Sequence, residues 1–419
     1  MLTLHDKLQR LAALRPAAPA IRPRAGGSPL HSERLARLVA GACRSNHLGE
    51  HLLVRSQFSD PPVCQPGIRA LRLLVPDAGE EAVELHRWLL LDVETTGLSG
   101  GSGTYAFLVG MAWWENGSLI VEQLFMRDHR EEASILLALS ERLCERRILV
   151  TFNGKSFDWP LIETRYRMTR AAALPQPLAH FDLLYPARQL WRLRLGSVRL
   201  VELESRVLAM KRRQDVPAEL IPRRYFGFLR GGPVEPLADV FRHNQTDLRG
   251  LAALAARILS ILEQPQLAEG DALDLYCLSR LLGRRGEGPA ARSLYERALS
   301  CGLPEAIDRI ARGELALLAK RQRDYARATS LWKELLGEDI DGLDAYEQLA
   351  IYYEHRAGEP ERAAAVTREA LEVLQAALRQ RRLTAEHYGK WQERLTYRLS
   401  RLSRKERVRA VRDSSVTLD

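Results

Sequence analysis

The run Trp88-Leu89-Leu90-Leu91-Asp92-Val93-Glu94-Thr95-Thr96-Gly97 constrains this 419-residue chain more than any other. Apolar side chains fill a stretch of strand length, and two carboxylates then arrive two positions apart. Residues i and i+2 of a strand share a face, so Asp92 and Glu94 project together from the end of a greasy strand. Two carboxylates held side by side repel, and both stay ionised only where a cation compensates them. Mg²⁺ and Mn²⁺ favour such oxygen ligands. The pair by itself also suits a surface strand with two solvated acids, so the choice falls to the rest of the chain.

The length allows two or three domains of about 150 residues each. A hydrophobic content of 46% and a charged content of 27% are those of a globular chain with a sizeable core. No stretch approaches the ~20 apolar residues of a membrane span, and the N-terminus lacks the apolar core of a secretory signal. Five scattered cysteines show no paired spacing, which argues against a disulfide framework and for a reducing, cytoplasmic compartment. The net charge of +9 comes mostly from arginine. That balance suits a nucleic-acid partner; arginine-rich usage from a GC-rich genome produces it equally well.

Residues 1–67 read as a basic, partly flexible segment: the Pro/Ala/Arg stretch from Arg15 to Gly27 can bury little. Leu2, Leu4, Leu8, Leu11 and Leu14 suit a short amphipathic helix before that stretch, and Ser32 to Ala42 looks helical. Residues 68–262 mix strands and helices. Ala70–Val75, Trp88–Val93, Tyr105–Trp114, Ser118–Phe125 and Ile148–Phe152 read as strands, with Asn116-Gly117 as a hairpin turn. Glu131–Arg146, Phe157–Thr169, Ser197–Leu208 and Leu237–Leu262 read as helices. This is an α/β chain with a mixed sheet and flanking helices. Residues 266–400 are helical throughout. There Ala291, Ala328 and Ala363 recur with Leu294, Leu331 and Val366 three positions later. The spacings of 37 and 35 residues are close to the ~34 of tetratricopeptide repeats, which are favoured over a plain helical bundle with chance similarity. Residues 401–419 read as a basic, disordered tail.

Two further acidic sites lie downstream. Asn153-Gly154-Lys155-Ser156-Phe157-Asp158 leaves a strand and opens a helix, where an Asp also suits the helix dipole. Gly154-Lys155-Ser156 mimics the end of a P-loop, but Leu149 stands where a P-loop requires glycine. His243 and Asp247, four apart in a predicted helix, share one face.

Strand Asp-x-Glu, then Asn-x-x-x-Phe-Asp, then His-x-x-x-Asp resembles the DEDD exonuclease branch of the ribonuclease H-like superfamily. More closely, it is similar to the YprB-type ribonuclease H-like domain, which in several bacterial proteins is joined to tetratricopeptide-like repeats. Leu91 to Gly110, His180-Phe181-Asp182-Leu183-Leu184, Ile221-Pro222-Arg223-Arg224-Tyr225-Phe226 and His243-Asn244-Gln245-Thr246-Asp247 carry the closer likeness. One feature departs from it. The usual third motif has His with four residues before Asp, or Tyr with three; here His has three.

The resemblance implies a ribonuclease H-like fold with a C-terminal all-α repeat domain. It implies a metal-dependent nuclease, a 3′–5′ exonuclease on single-stranded ends of DNA or RNA. Two Mg²⁺ or Mn²⁺ ions ~3.5–4 Å apart would be held by Asp92, Glu94, Asp158 and Asp247. His243 would be the general base, and Thr95, Gly97, Asn153 and Phe157 candidates for contacting substrate. Asp182 is either a supporting residue or a helix cap. The glycines from Gly97 to Gly103 suit either a phosphate contact or a plain hairpin turn. The alternative is a non-catalytic scaffold that binds nucleic acid or a protein partner through the helical repeats. A structure-selective endonuclease is a third possibility.

Overall fold

The computed structural model describes residues 29–59, 65–97, 103–170, 173–212, 215–337 and 342–416, the last eleven of these by their backbone alone. The Leu98–Ser102 part of the glycine-rich loop, the expected helix over residues 2–14 and the Arg15–Gly27 stretch lie outside the described residues.

Among the described residues, seven strands form one sheet: β1 (Ala42–Asn46), β2 (Gly49–Phe58), β3 (Trp88–Thr95), β4 (Ala106–Glu115), β5 (Ser118–Phe125), β6 (Ile148–Thr151) and β7 (Ala179–Asp182). Their order is β1-β2-β5-β4-β3-β6-β7. The β1 to β3 side is antiparallel, while β3, β6 and β7 run parallel. β3 is central, with Trp88 to Leu91 all buried, which is why its sequence is continuously apolar until the first carboxylate. The β4–β5 hairpin turns at Asn116 and Gly117, whose φ values of 49° and 77° are those that a two-residue turn between twisted strands requires.

The helices of this part are α1 (Pro29–Leu38), α2 (Ile68–Leu74), α3 (Glu132–Glu145), α4 (Asp158–Thr169), α5 (Leu184–Leu195), α6 (Leu200–Arg206), α7 (Ile221–Leu229) and α8 (Glu235–Glu263). α3 packs on β2 and β1, and the 29-residue α8 crosses β3, β4 and β5. The register places Asp92 opposite Gly110, and Gly110 opposite Gln123. These three residues therefore form a row on one face of the sheet. α7 fills the core beside them: Tyr225 is fully buried and stacks on Phe107 at 4.1 Å. The Ile221–Phe226 motif thus acts through packing.

Three expectations need correction. Ala70–Val75 is not a strand; it falls in α2, which buries Ala70, Leu71 and Leu73. A short apolar run fits either period, and here the helical one wins. The segment before residue 68 is not merely a flexible arm, because β1 and β2 belong to the sheet and Leu52 and Val54 to its core. Nor does a tail begin at residue 401, since the helix from Ala385 runs on to Val416.

The chain divides into two units, residues up to 188 with 195–263, and residues 189–194 with those from 264 onward. The second unit contains α9 (Ala272–Arg284), α10 (Gly288–Ser300), α11 (Glu305–Arg321), α12 (Tyr325–Leu335), α13 (Leu343–Tyr352), α14 (Pro360–Arg379) and α15 (Ala385–Val416). α9 packs on α10, α11 on α12, and α13 on α14. Ala291, Ala328 and Ala363 sit in the second helix of each pair and are fully buried, so their small size sets how closely the helices approach. Among the described residues no helix is long and apolar enough to cross a membrane.

Candidate metal-dependent nuclease site

β3 brings Asp92 and Glu94 to the same side of the sheet, and the pairing with β4 shifts register between Glu94 and Thr95. A bulge at that point ends the regular ladder beside the carboxylates. Thr95 Oγ1 donates to the Gly97 carbonyl at 2.9 Å, and Thr96 Oγ1 accepts from Tyr105 N at 2.9 Å. Both threonines thereby tie down the chain where it leaves the strand.

α8 supplies the opposing groups. His243 and Asp247 lie one turn apart, with His243 Nε2 3.3 Å from Asp247 Oδ2 and 3.9 Å from Glu94 Oε1. Glu94, His243 and Asp247 each offer a ligand atom within 4.8 Å of the others. Asp92 and Asp158 are not part of that trio, but their charges reach it. Burial first, and then the charges of Asp247, Glu94 and Asp158, push the Asp92 carboxyl well above the carboxylate range. Burial raises Glu94 to about 7; protonated His243 opposes the rise, while Asp247 and Asp158 add to it. Burial and neighbouring Asp182 raise Asp158 to about 7. His243 is raised too: burial works against its charged form, but Asp247, Glu94 and Asp215 outweigh it.

These carboxyl groups suit a cation. Carboxylates that hold their protons near neutrality because they are desolvated and lie near other acids would be relieved by a divalent ion, which inverts the local balance. The oxygen-rich donor set, with one imidazole at hand, suits a divalent cation.

Asp158 opens α4, and the loop before it is held from β7. Asp182 Oδ1 accepts from Asn153 N at 2.7 Å and Leu184 N at 3.1 Å, and Oδ2 accepts from Lys155 N at 3.0 Å. Both readings of Asp182 are thus realised, since it caps the start of α5 and braces the loop. Asn153 takes a φ of 67°, a left-handed conformation that Asn tolerates. Gly154 has no room for a Cβ, which would collide with Thr151. Phe157, next to half-buried Asp158, is 58% exposed, unusual for a large aromatic residue.

Several residues at the site escaped sequence reasoning. Asn244 is fully buried on α8 and donates to Asp92 Oδ2 at 2.7 Å. Gln123 Nε2 donates to Asn244 Oδ1 at 2.8 Å, and Gln245 Nε2 donates to Gln123 Oε1 at 2.9 Å. The signal was present, because Gln123 is a polar residue in the middle of an apolar strand. Arg212 and Asp215, between α6 and α7, also contact the site. Arg212 binds Asp247 and Glu204, and Asp215 Oδ1 lies 2.6 Å from His243 Nδ1. No periodicity marks these two in the sequence.

The sheet order, the crossing helix and the acids at the central strand are those of a ribonuclease H-like domain. A profile of the RNase_H superfamily matches residues 89–259, a span that contains every acid named above, His243 and Arg212. The chain is 31% identical over 319 residues to "Uncharacterized protein YprB" of Bacillus subtilis (strain 168), covering 75% of this chain and 74% of that protein. The chain belongs to the family of that Bacillus protein, and its residues 89–259 form an RNase_H superfamily domain.

Proposed function

We propose that the protein is a metal-dependent nuclease that hydrolyses phosphodiester bonds by a two-metal-ion mechanism, as a 3′–5′ exonuclease on single-stranded ends. The observation that carries this reading is the convergence of Glu94, His243 and Asp247 within 4.8 Å, with Asp92 and Asp158 electrostatically coupled to them. Asp92, Glu94, Asp158 and Asp247 would hold the ions. Bound divalent ions would neutralise charge on the phosphate and make water a nucleophile near neutral pH. His243 Nε2 faces the carboxylates and is placed to take the water's proton. Exposed Phe157 offers a ring for a terminal base to stack on. Asn153, Thr95 and Gly97 would contact the sugar-phosphate chain. The helix pairs of the second unit are tetratricopeptide-like repeats in this reading and would hold a protein partner. The protein would work in the cytoplasm.

The polarity is tested with 5′-labelled single-stranded DNA and RNA in Mn²⁺ or Mg²⁺. A ladder shortening from the 3′ end supports the reading, whereas internal cuts from the first time point would indicate an endonuclease.

One observation favours the scaffold reading: Arg212 already pairs with Asp247, so a cation of the chain's own meets one of the four acids. Calorimetric titration with Mn²⁺ separates the two. A site that binds no divalent ion would leave a binding protein.

A further inference from the structure

The group that orients His243 comes from a stretch that no motif covers. After α6 ends at Arg206, the chain carries Arg212 and Asp215 against α8. Asp215 uses both carboxylate oxygens. Oδ1 lies 2.6 Å from His243 Nδ1 and accepts from Val216 N at 2.9 Å, while Oδ2 accepts from Arg212 Nη1 at 2.8 Å. Arg212 is itself anchored. Its Nη2 donates to Glu204 Oε1 at 2.8 Å, its Nε donates to Glu204 Oε2, and Nη2 also reaches Asp247. Glu204 is buried over Gly250 on α8, where any Cβ would collide with its carboxylate. The chain of contacts therefore runs from a buried acid through a fixed guanidinium to Asp215, and ends on the imidazole.

The chemistry of that last contact is directional. An ionised carboxylate only accepts hydrogen bonds, so the ring nitrogen facing it carries the proton. Nδ1–H toward Asp215 leaves Nε2 of the neutral ring with its lone pair, and Nε2 is the nitrogen turned toward Glu94 and Asp247. Without Asp215 the ring is free to flip or to take the other tautomer, which would aim a proton where a base needs a lone pair.

We infer that Asp215 is a positioning residue for the reaction, holding His243 in the tautomer and orientation of a general base while Arg212 fixes Asp215. This rests on the nuclease reading given above. It also bears on the departure noted in the third motif: a histidine with the short spacing reaches the site as a base because a carboxylate from outside the motif sets its ring.

The test uses the full chain with ¹⁵N-labelled histidine and saturating Mg²⁺ at alkaline pH. His243→Gln identifies the His243 signals in long-range ¹H–¹⁵N spectra. The wild type is expected to show Nδ1 protonated and Nε2 unprotonated. Asp215→Ala should lose that pattern and lower kcat by about ten- to a hundredfold, with KM and Mn²⁺ affinity within about twofold. Asp215→Asn, whose carboxamide oxygen still accepts from Nδ1–H, should keep the tautomer and recover part of kcat. An active wild type whose Asp215→Ala variant retains its kcat or its Nδ1–H tautomer overturns the inference alone. So does a variant that loses thermal stability and Mn²⁺ affinity in step with kcat, which is what a merely structural role predicts. A wild type without hydrolysis removes the nuclease reading, and this inference falls with it.

Discussion

Asn244 on α8 reaches Asp92 on β3 by passing over Gly110 of β4, donating to the Asp92 carboxylate at 2.7 Å. The route is open only because position 110 has no side chain; a Cβ there would collide with the Asn244 carboxamide. Gln123, opposite Gly110 on β5, holds that carboxamide from the far side at 2.8 Å. The aim of one acid is therefore set by a helix, a glycine and two buried amides. Gly110→Ala should displace Asn244, leave buried polar groups unpaired and destabilise the fold by about 2 kcal/mol. Asn244→Ala in the same background should recover part of that loss. Urea unfolding followed by circular dichroism reads both, and additive losses would mean that the two positions do not communicate.

Proton linkage gives a second prediction. Glu94 and Asp158 have ordinary values of 4.5 and 3.8 and are each raised to about 7 in the folded chain. The folded state thus binds more protons than the unfolded state between those limits. The stability these groups contribute is fully present below their unfolded values and is lost as pH rises through 7. In chelator, the melting temperature should fall from about pH 5 to about pH 8, and Asp158→Asn should flatten part of that slope. Mn²⁺ affinity should rise over the same window, because the ligands must shed protons to bind. A melting temperature that rises with pH in chelator would contradict the assignment.

Asp182 accepts three backbone N–H groups, from Asn153, Lys155 and Leu184. Asp182→Ala orphans them and should cost about 3 kcal/mol in thermal or denaturant unfolding. Hydrolysis should fall as well, because the loop that leads to Asp158 loses its brace. A variant with normal stability and low activity would instead place Asp182 among the groups that meet the metal or the substrate.

Phe157 offers the opposite separation. With 58% of its surface exposed it contributes little to the core, so Phe157→Ala should leave stability within about 0.5 kcal/mol. If a base stacks on it, the KM for single strands should rise about fivefold or more, since one stacked base is worth ~1–3 kcal/mol. An unchanged KM would remove Phe157 from the substrate path.

Much of the architecture was legible because its signals are local. The carboxylates of β3 stand out against apolar neighbours, the Asn116-Gly117 turn matches its twist, and α8 shows a helical period across its length. β1 and β2 were missed because many of their residues stay polar and exposed, β1 as an edge strand paired on one side and β2 outside its Leu52 to Val54 centre. α2 was misread because a seven-residue segment of mostly apolar residues is too short to declare a period. The supports of the site were hidden for a different reason. Asp215, Arg212 and Gln123 owe their roles to partners 28, 35 and 121 residues away, and no spacing rule links such distances.

The central claim is that the side chains converging on Asp92 hold a divalent ion and use it to hydrolyse nucleic acid. The most direct measurement follows Mn²⁺ binding by electron paramagnetic resonance and cleavage of an end-labelled single strand in the same samples, comparing wild type with Asp92→Asn. The account predicts metal-dependent cleavage that chelator abolishes, and a variant that cleaves at least about a hundredfold more slowly with weakened Mn²⁺ binding. Equal cleavage by the two proteins, or a wild type that binds no Mn²⁺, would contradict it.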